Sequence, residues 1–372
     1  MSTWRTLVVA VICVCAGAAA QACAPQETTS EANQPEPRNL PTFEVDSGWM
    51  KVPEEWKLGD ASTFAIDSVG NVWLLHRPWT LPVEEAAMAA PPVMVFDSDG
   101  NFVKAWGGPG AGYEWPQREH GLHVDSQDFV WITGNNCPTN GLPRDSVSDD
   151  QVLKFTPDGS IVMQIGHSGD GTASNADTEN VHRAADLWVH PPTNEVFVAD
   201  GYGNNRVVVF DADTGAFKRT WGAFGNVPVD NDSCEIFYFD TPDAPGLQEF
   251  NLVHAILVAS DGTVYVADRE HRRVQAFDAE GTFVSEVTKT DARFARGLAF
   301  SADPAQQFLY VGGDDDITIV ERSTLEIVGA IKVPGMLGGG HQITSDSDGN
   351  IYIAETDRGI QKLSYTGLSP AP

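Results

Sequence analysis

The chain has 372 residues and a formal charge of −29, with 52 acidic against 23 basic side chains. No cluster of lysines or arginines occurs that would bind a phosphate backbone, which sets nucleic acid aside as a partner. The acidity is spread over turns and loops, as a solvated surface or a salty habitat requires, and no composition break within residues 61–367 marks a second domain.

At the N-terminus, Arg5 precedes an apolar run from Leu7 to Ala20 that is short for a membrane span and is followed by small residues. This pattern predicts an export signal over residues 1–22. The segment Ala20-Gln21-Ala22-Cys23 resembles a bacterial lipoprotein box with Ala in the usual Leu position. Cys23 is therefore expected to be lipidated and to anchor the exported protein to a membrane, with plain cleavage and secretion as the alternative. Residues 23–42, rich in Pro, Gln, Glu, Thr and Ser, are expected to form a disordered tether.

From residue 43 to residue 367 a unit of roughly forty residues recurs. Its closing segments are clearest from Phe96-Asp97 to Trp106-Gly107, Phe155 to Ile165-Gly166, Phe210-Asp211 to Trp221-Gly222 and Phe277-Asp278 to Val287. Each strand is short, rich in Val, Ile, Phe and Trp, and bounded by Gly, Asp, Asn or Pro, the signature of an all-β chain. A four-stranded unit of this length is one propeller blade. Six begin, near Ala61, Glu119, Ala184, Asn251, Arg293 and Gly340. Blade five is the least regular, because Asp314-Asp315-Asp316 crowds its loop. The sixth runs out of chain after three strands, leaving residues 368–372 as a tail. Thr42-Phe43-Glu44-Val45 is expected to add its missing outer strand, which would close the ring and remove exposed edges. The expected architecture is an all-β, six-bladed β-propeller whose N-terminal strand completes the last blade.

Cys13 and Cys15 leave with the signal, so Cys137 and Cys234 remain within the ring. The first lies in the loop between the second and third strands of blade two, the second in the linker from blade three to blade four. Both loops emerge on one face, so a disulfide and two free thiols are both open readings.

The same strand opens with histidine in alternate blades: His120, His254 and His341. The intervening blades carry Ser62, Ala185 and Arg296 at that position. A packing preference of the repeat would place histidine in neighbouring blades too. Alternate blades of a six-bladed ring stand a third of a turn apart, so the three imidazoles are expected to converge on its axis. Three neutral imidazoles suit zinc, with iron(II) as the alternative, and leave coordination positions open for substrate. His76, His123, His167, His182, His190 and His271 share no such position and read as packed or surface residues. On the same face, Tyr202 lies between two glycines, Arg269 occupies the corresponding loop of blade four, and Arg77 ends the second strand of blade one. Asp200 with Arg206 and Asp268 with Arg273 read as ion pairs that brace their loops.

These residues resemble the NHL-repeat propellers, and within them the lyase domain of the peptidylglycine α-amidating enzyme, over roughly residues 43–365. The most specific stretches are Leu75-His76-Arg77, His120-Gly121-Leu122, Phe197 to Arg206, and Val266 to Glu270. The resemblance implies a catalytic zinc on His120, His254 and His341, with Tyr202, Arg77 and Arg269 serving the substrate. It implies cleavage of a C-terminal α-hydroxyglycine to a peptide amide and glyoxylate, Tyr202 taking the hydroxyl proton and an arginine clamping the carboxylate. Five positions depart from the family. Gly203 replaces a cysteine, and Tyr265 and Ala276 replace a disulfide within blade four. Gly339 replaces a methionine, and Gln342 replaces an aspartate that helps hold a structural calcium. That last exchange leaves calcium open. The family's copper-dependent hydroxylating domain has no counterpart here, so the hydroxyglycine is expected to be made elsewhere. A non-catalytic binding propeller, or another metal-dependent lyase or hydrolase on the same ring, remain the alternatives. The expected partner is a small molecule or peptide ending in hydroxyglycine, bound by a monomer that meets membrane only through its lipid.

Overall fold

A computed structural model of the protein describes residues 38–138, 147–171, 174–230, 248–289, 294–356 and 358–370. Six antiparallel sheets of four strands each are arranged as the blades of a β-propeller. The innermost strands are Asp60–Ile66, Glu119–Val124, Asp186–His190, Val253–Val258, Leu298–Phe300 and Gln342–Ser345.

The middle strands explain why the repeats read as unbroken apolar runs. In Val72–Arg77 and Glu195–Asp200 every residue is buried, because a blade packs a neighbour on both faces. The outer strand Phe102–Trp106 has no blade beyond it and is only partly covered. The core divides at the blade interfaces. Phe197, Val207 and Val209 of blade three pack on Ile256, Val264 and Phe277 of blade four. Leu75, Val93 and Val95 of blade one meet Leu122, Ile132 and Leu153 of blade two. A second repeated device pins the first turn of a blade. The Asp67 carboxylate accepts from Trp73 Nε1 at 3.0 Å, Asp125 from Trp131 Nε1 at 2.9 Å, and Asp346 from the Tyr352 hydroxyl at 2.9 Å.

The ring closes as expected. Asn39–Asp46 pairs antiparallel with Gly359–Pro370, so blade six contains both ends of the described chain. The ladder is longer than expected: residues 39–42, assigned to the tether, pair with 367–370, mostly assigned to the tail. The reason lies in the neighbouring blade. Leu40 is buried where Gly329 leaves room, since a Cβ on that glycine would stand 2.5 Å from Leu40 Cδ1. Pro41 falls in the edge strand, where a missing N–H is tolerated. The predicted signal, Cys23 and Cys234 lie outside the described residues. Cys137 is disulfide-bonded.

Candidate metal centre

The innermost strands of three blades slip register where they meet the axis: between Ala61 and Thr63, Glu119 and Leu122, and Val253 and Ala255. Such a bulge re-aims a side chain and releases backbone groups from the ladder. His120 and His254 occupy two of these slips and Ser62 the third, while His341 directly precedes the inner strand of blade six, its N–H donating to Ala354 O at 2.8 Å. His120 Nδ1 lies 2.6 Å from the Ala185 carbonyl, His254 Nδ1 2.6 Å from that of Arg296, and His341 Nδ1 3.0 Å from that of Ser62. The three non-histidine blades therefore supply the three acceptors. A carbonyl has no proton to give, so each Nδ1 must carry the hydrogen and each Nε2 must present a lone pair.

The imidazoles converge, with ring centroids 4.7, 4.9 and 5.0 Å apart and one nitrogen from each lying within 4.8 Å of the others. All three side chains are buried. Burial first, and neighbouring positive charge second, hold each well below the ordinary histidine range, so all are neutral at physiological pH. His254 Nε2 is buried with no hydrogen-bond partner, a cost that an ion at the axis would remove. The residues fit a metal ion bound by three nitrogens, each backed by a carbonyl on its far side. Gly121 makes the packing possible: a Cβ there would meet Ala185 O at 2.7 Å and Asp186 Cα at 2.9 Å.

The three residues expected around the site are all present. The Tyr202 hydroxyl lies 3.1 Å from His120 Nε2 and 3.2 Å from Arg269 Nη1. Arg269 also pairs with Glu270 at 2.7 Å. Arg77 is buried; its Nε donates to the Glu119 carbonyl at 2.8 Å and its Nη2 to Ser62 Oγ at 3.3 Å. Burial, then repulsion from Arg118, lower its pKa to about 10, which leaves it charged at neutral pH. Its positive charge acts on His120, His341 and Tyr202. The Glu119 carboxylate is occupied by Trp115 and Trp79, each donating Nε1 at 2.9 Å.

Sequence reasoning treated Arg296 as mere contrast to the histidines. Its carbonyl orients His254, while its guanidinium pairs with Asp314 at 3.1 Å and Glu355 at 3.4 Å and adds positive charge beside His254 and His341. Shared strand position was the signal available for it. The Asp200–Arg206 and Asp268–Arg273 pairs, both 2.8 Å, brace their loops as expected. The other histidines stay apart from the centre: His76 bonds Pro91 O, His182 bonds Asp150, and His123 packs on Trp188. Gly203 admits no side chain, since a Cβ would fall 2.2 Å from His182 Cδ2. Tyr265 and Ala276 are direct register partners, and the tyrosine is buried.

No protein-family model matches the chain. It is 29% identical over 249 residues to NHL repeat-containing protein 3 of Mus musculus, covering 64% of this chain and 58% of that one. It is 27% identical over 357 residues to peptidylglycine alpha-amidating monooxygenase of Rattus norvegicus, covering 87% and 32%. With peptidyl-alpha-hydroxyglycine alpha-amidating lyase 1 of Drosophila melanogaster it shares 26% over 359 residues, covering 84% and 58%. The chain thus spans less than two thirds of each of these relatives. A streptogramin B lyase structure superposes with a TM-score of 0.53 at 14% identity, covering 88% of this chain and 98% of that one, a likeness of fold alone. In fold and in sequence, the chain is a six-bladed β-propeller similar to NHL-repeat proteins and to the amidating lyases.

Proposed function

We propose that the protein is a zinc-dependent lyase that cleaves a C-terminal α-hydroxyglycine to a peptide amide and glyoxylate. One observation carries this reading: three neutral, carbonyl-backed imidazoles converge beside a phenol and a buried, charged arginine. The relatives named as amidating lyases support it.

In the reaction the hydroxyl loses its proton, the carbon–oxygen bond becomes a carbonyl, and the carbon–nitrogen bond breaks. The electron pair leaves on nitrogen, which takes a proton to become the amide. Tyr202 is the proton acceptor in this scheme. Arg269 donates to its oxygen and Arg77 faces it, placing positive charge where the base must carry negative charge. Arg77 is the residue to clamp the carboxylate, since it stays charged at neutral pH beside the histidines and a fork of donors matches two oxygens. Zinc, when bound by His120, His254 and His341, would supply Lewis-acid polarisation of the substrate oxygens. Fixed donors and charges provide orientation and electrostatic stabilisation with no covalent intermediate. Export, and anchoring through a lipid on Cys23, are proposed from the sequence.

The test is glyoxylate release from a peptide ending in α-hydroxyglycine, compared with metal-free protein at the same pH because this group also decays spontaneously in base. Release above that background is expected. Equal release from both forms would leave a metal-binding propeller of other chemistry.

A further inference from the structure

The bulge that turns His254 toward the axis also takes its own carbonyl out of the ladder, because Val253 and Ala255 find partners in the next strand and His254 does not. A buried carbonyl left unpaired is costly. The group that satisfies it comes from across the ring: Gln342 Nε2 donates to His254 O at 3.1 Å. Gln342 directly follows His341 and is itself buried. The acceptor is a carbonyl, so the amide must present its NH2 there, which fixes the orientation of the side chain. His254 is thereby held at two points, its ring by blade five through Arg296 and its backbone by blade six through Gln342.

Gln342 also lines a cavity of about 280 Å³ that all six innermost strands enclose along the axis. A hard cation such as calcium takes six to eight oxygen ligands, carboxylates prominent among them. Position 342 offers a neutral amide whose N–H already occupies a carbonyl oxygen. Asp186, the carboxylate that lines the same cavity, accepts from the Ile256 backbone N–H at 3.2 Å. The residues present therefore do not fit a structural calcium.

We infer that Gln342 is a positioning residue that ties the blade-six metal ligand to the blade-four ligand, and that this amide strut does the work a cation in the channel would otherwise do. The inference rests on the metal centre of the proposed function and not on its reaction. Blade four cannot then move away from blade six without breaking a buried hydrogen bond beside the site.

The test uses the full exported chain, with zinc affinity measured by competition against a chromophoric chelator in calcium-free buffer. Gln342→Leu keeps the bulk and loses the donor, and zinc binding should weaken about 10- to 100-fold, the usual effect of removing a ligand's supporting partner. Gln342→Glu keeps the shape and sets a carboxylate against the His254 carbonyl. Its zinc affinity should fall likewise and recover when millimolar CaCl2 is added, while wild-type affinity and Tm ignore the addition. Unchanged zinc affinity in both variants would overturn the positioning role. A rise in wild-type Tm or zinc affinity on adding calcium would overturn the replacement of a cation by the amide. Neither measurement reads glyoxylate, so failure of the lyase assignment would be seen separately.

Discussion

Arg269, on blade four, donates through Nη1 to the phenolic oxygen of Tyr202, on blade three, at 3.2 Å. The same oxygen lies 3.1 Å from His120 Nε2, which bears a lone pair because Nδ1 is committed to Ala185. The phenol therefore gives its proton to a nitrogen that a metal would claim. Tyr202→Phe keeps the ring that packs against His120 and removes the oxygen. Turnover should drop on the order of 10²- to 10⁴-fold with zinc content and fold retained. Steady-state kinetics beside elemental analysis checks this; unchanged turnover would exclude Tyr202 as the base.

Arg77 is held beside the site by the Glu119 carbonyl and Ser62 Oγ, and its charge acts on His120 and His341. Arg77→Ala should raise KM for a hydroxyglycine substrate with a smaller effect on kcat, if the carboxylate is held equally in ground and transition states. Arg269→Ala should lower kcat as well, since that arginine also holds the Tyr202 oxygen. The separation of the two parameters is the diagnostic measurement.

Purified wild-type protein should contain about one zinc per chain. Alanine at His120, His254 or His341 should remove it, because two imidazoles bind far more weakly than three. Full zinc loading in all three variants, measured by elemental analysis, would exclude this centre.

His123 is buried against Trp188, with ring centroids 4.5 Å apart, and burial lowers its pKa from 6.5 to about 3. Between those values the unfolded chain binds a proton that the folded one refuses, so stability falls as pH drops below 6.5. His123→Phe removes that proton from the balance. Its unfolding free energy should fall less than that of wild type between pH 7 and pH 5, by about 2 kcal/mol. Denaturant unfolding at the two pH values gives the comparison, and parallel losses in both proteins would contradict the assignment.

Cys23→Ser should move the protein from the membrane fraction to the soluble one, as expected if acyl chains on that residue form its anchor. An unchanged distribution on fractionation would point to simple cleavage of the signal.

Much of the ring was legible because its devices repeat. A period of roughly forty residues and closing segments such as Phe96-Asp97 to Trp106-Gly107 marked the blades, whereas the Asp67, Asp125 and Asp346 bonds that pin their first turns emerge only in the structure. The histidine trio was legible because register within a repeat converts directly into angle around an axis. The acceptors on Ala185, Arg296 and Ser62 were not, because a backbone carbonyl leaves no trace in residue identity. The extra pairing of residues 39–42 was hidden for a related reason. What buries Leu40 is the missing side chain of Gly329, in a different blade.

Asn39 and Pro370 are direct partners in the ladder that shuts blade six. The two ends of the ring thus meet at one point, and the order of the blades along the polypeptide is an accident of where synthesis starts. Joined there by a short flexible linker and reopened between two other blades, a circular permutant would run through the blades in a new order. It would still present the same three imidazoles to the same axis.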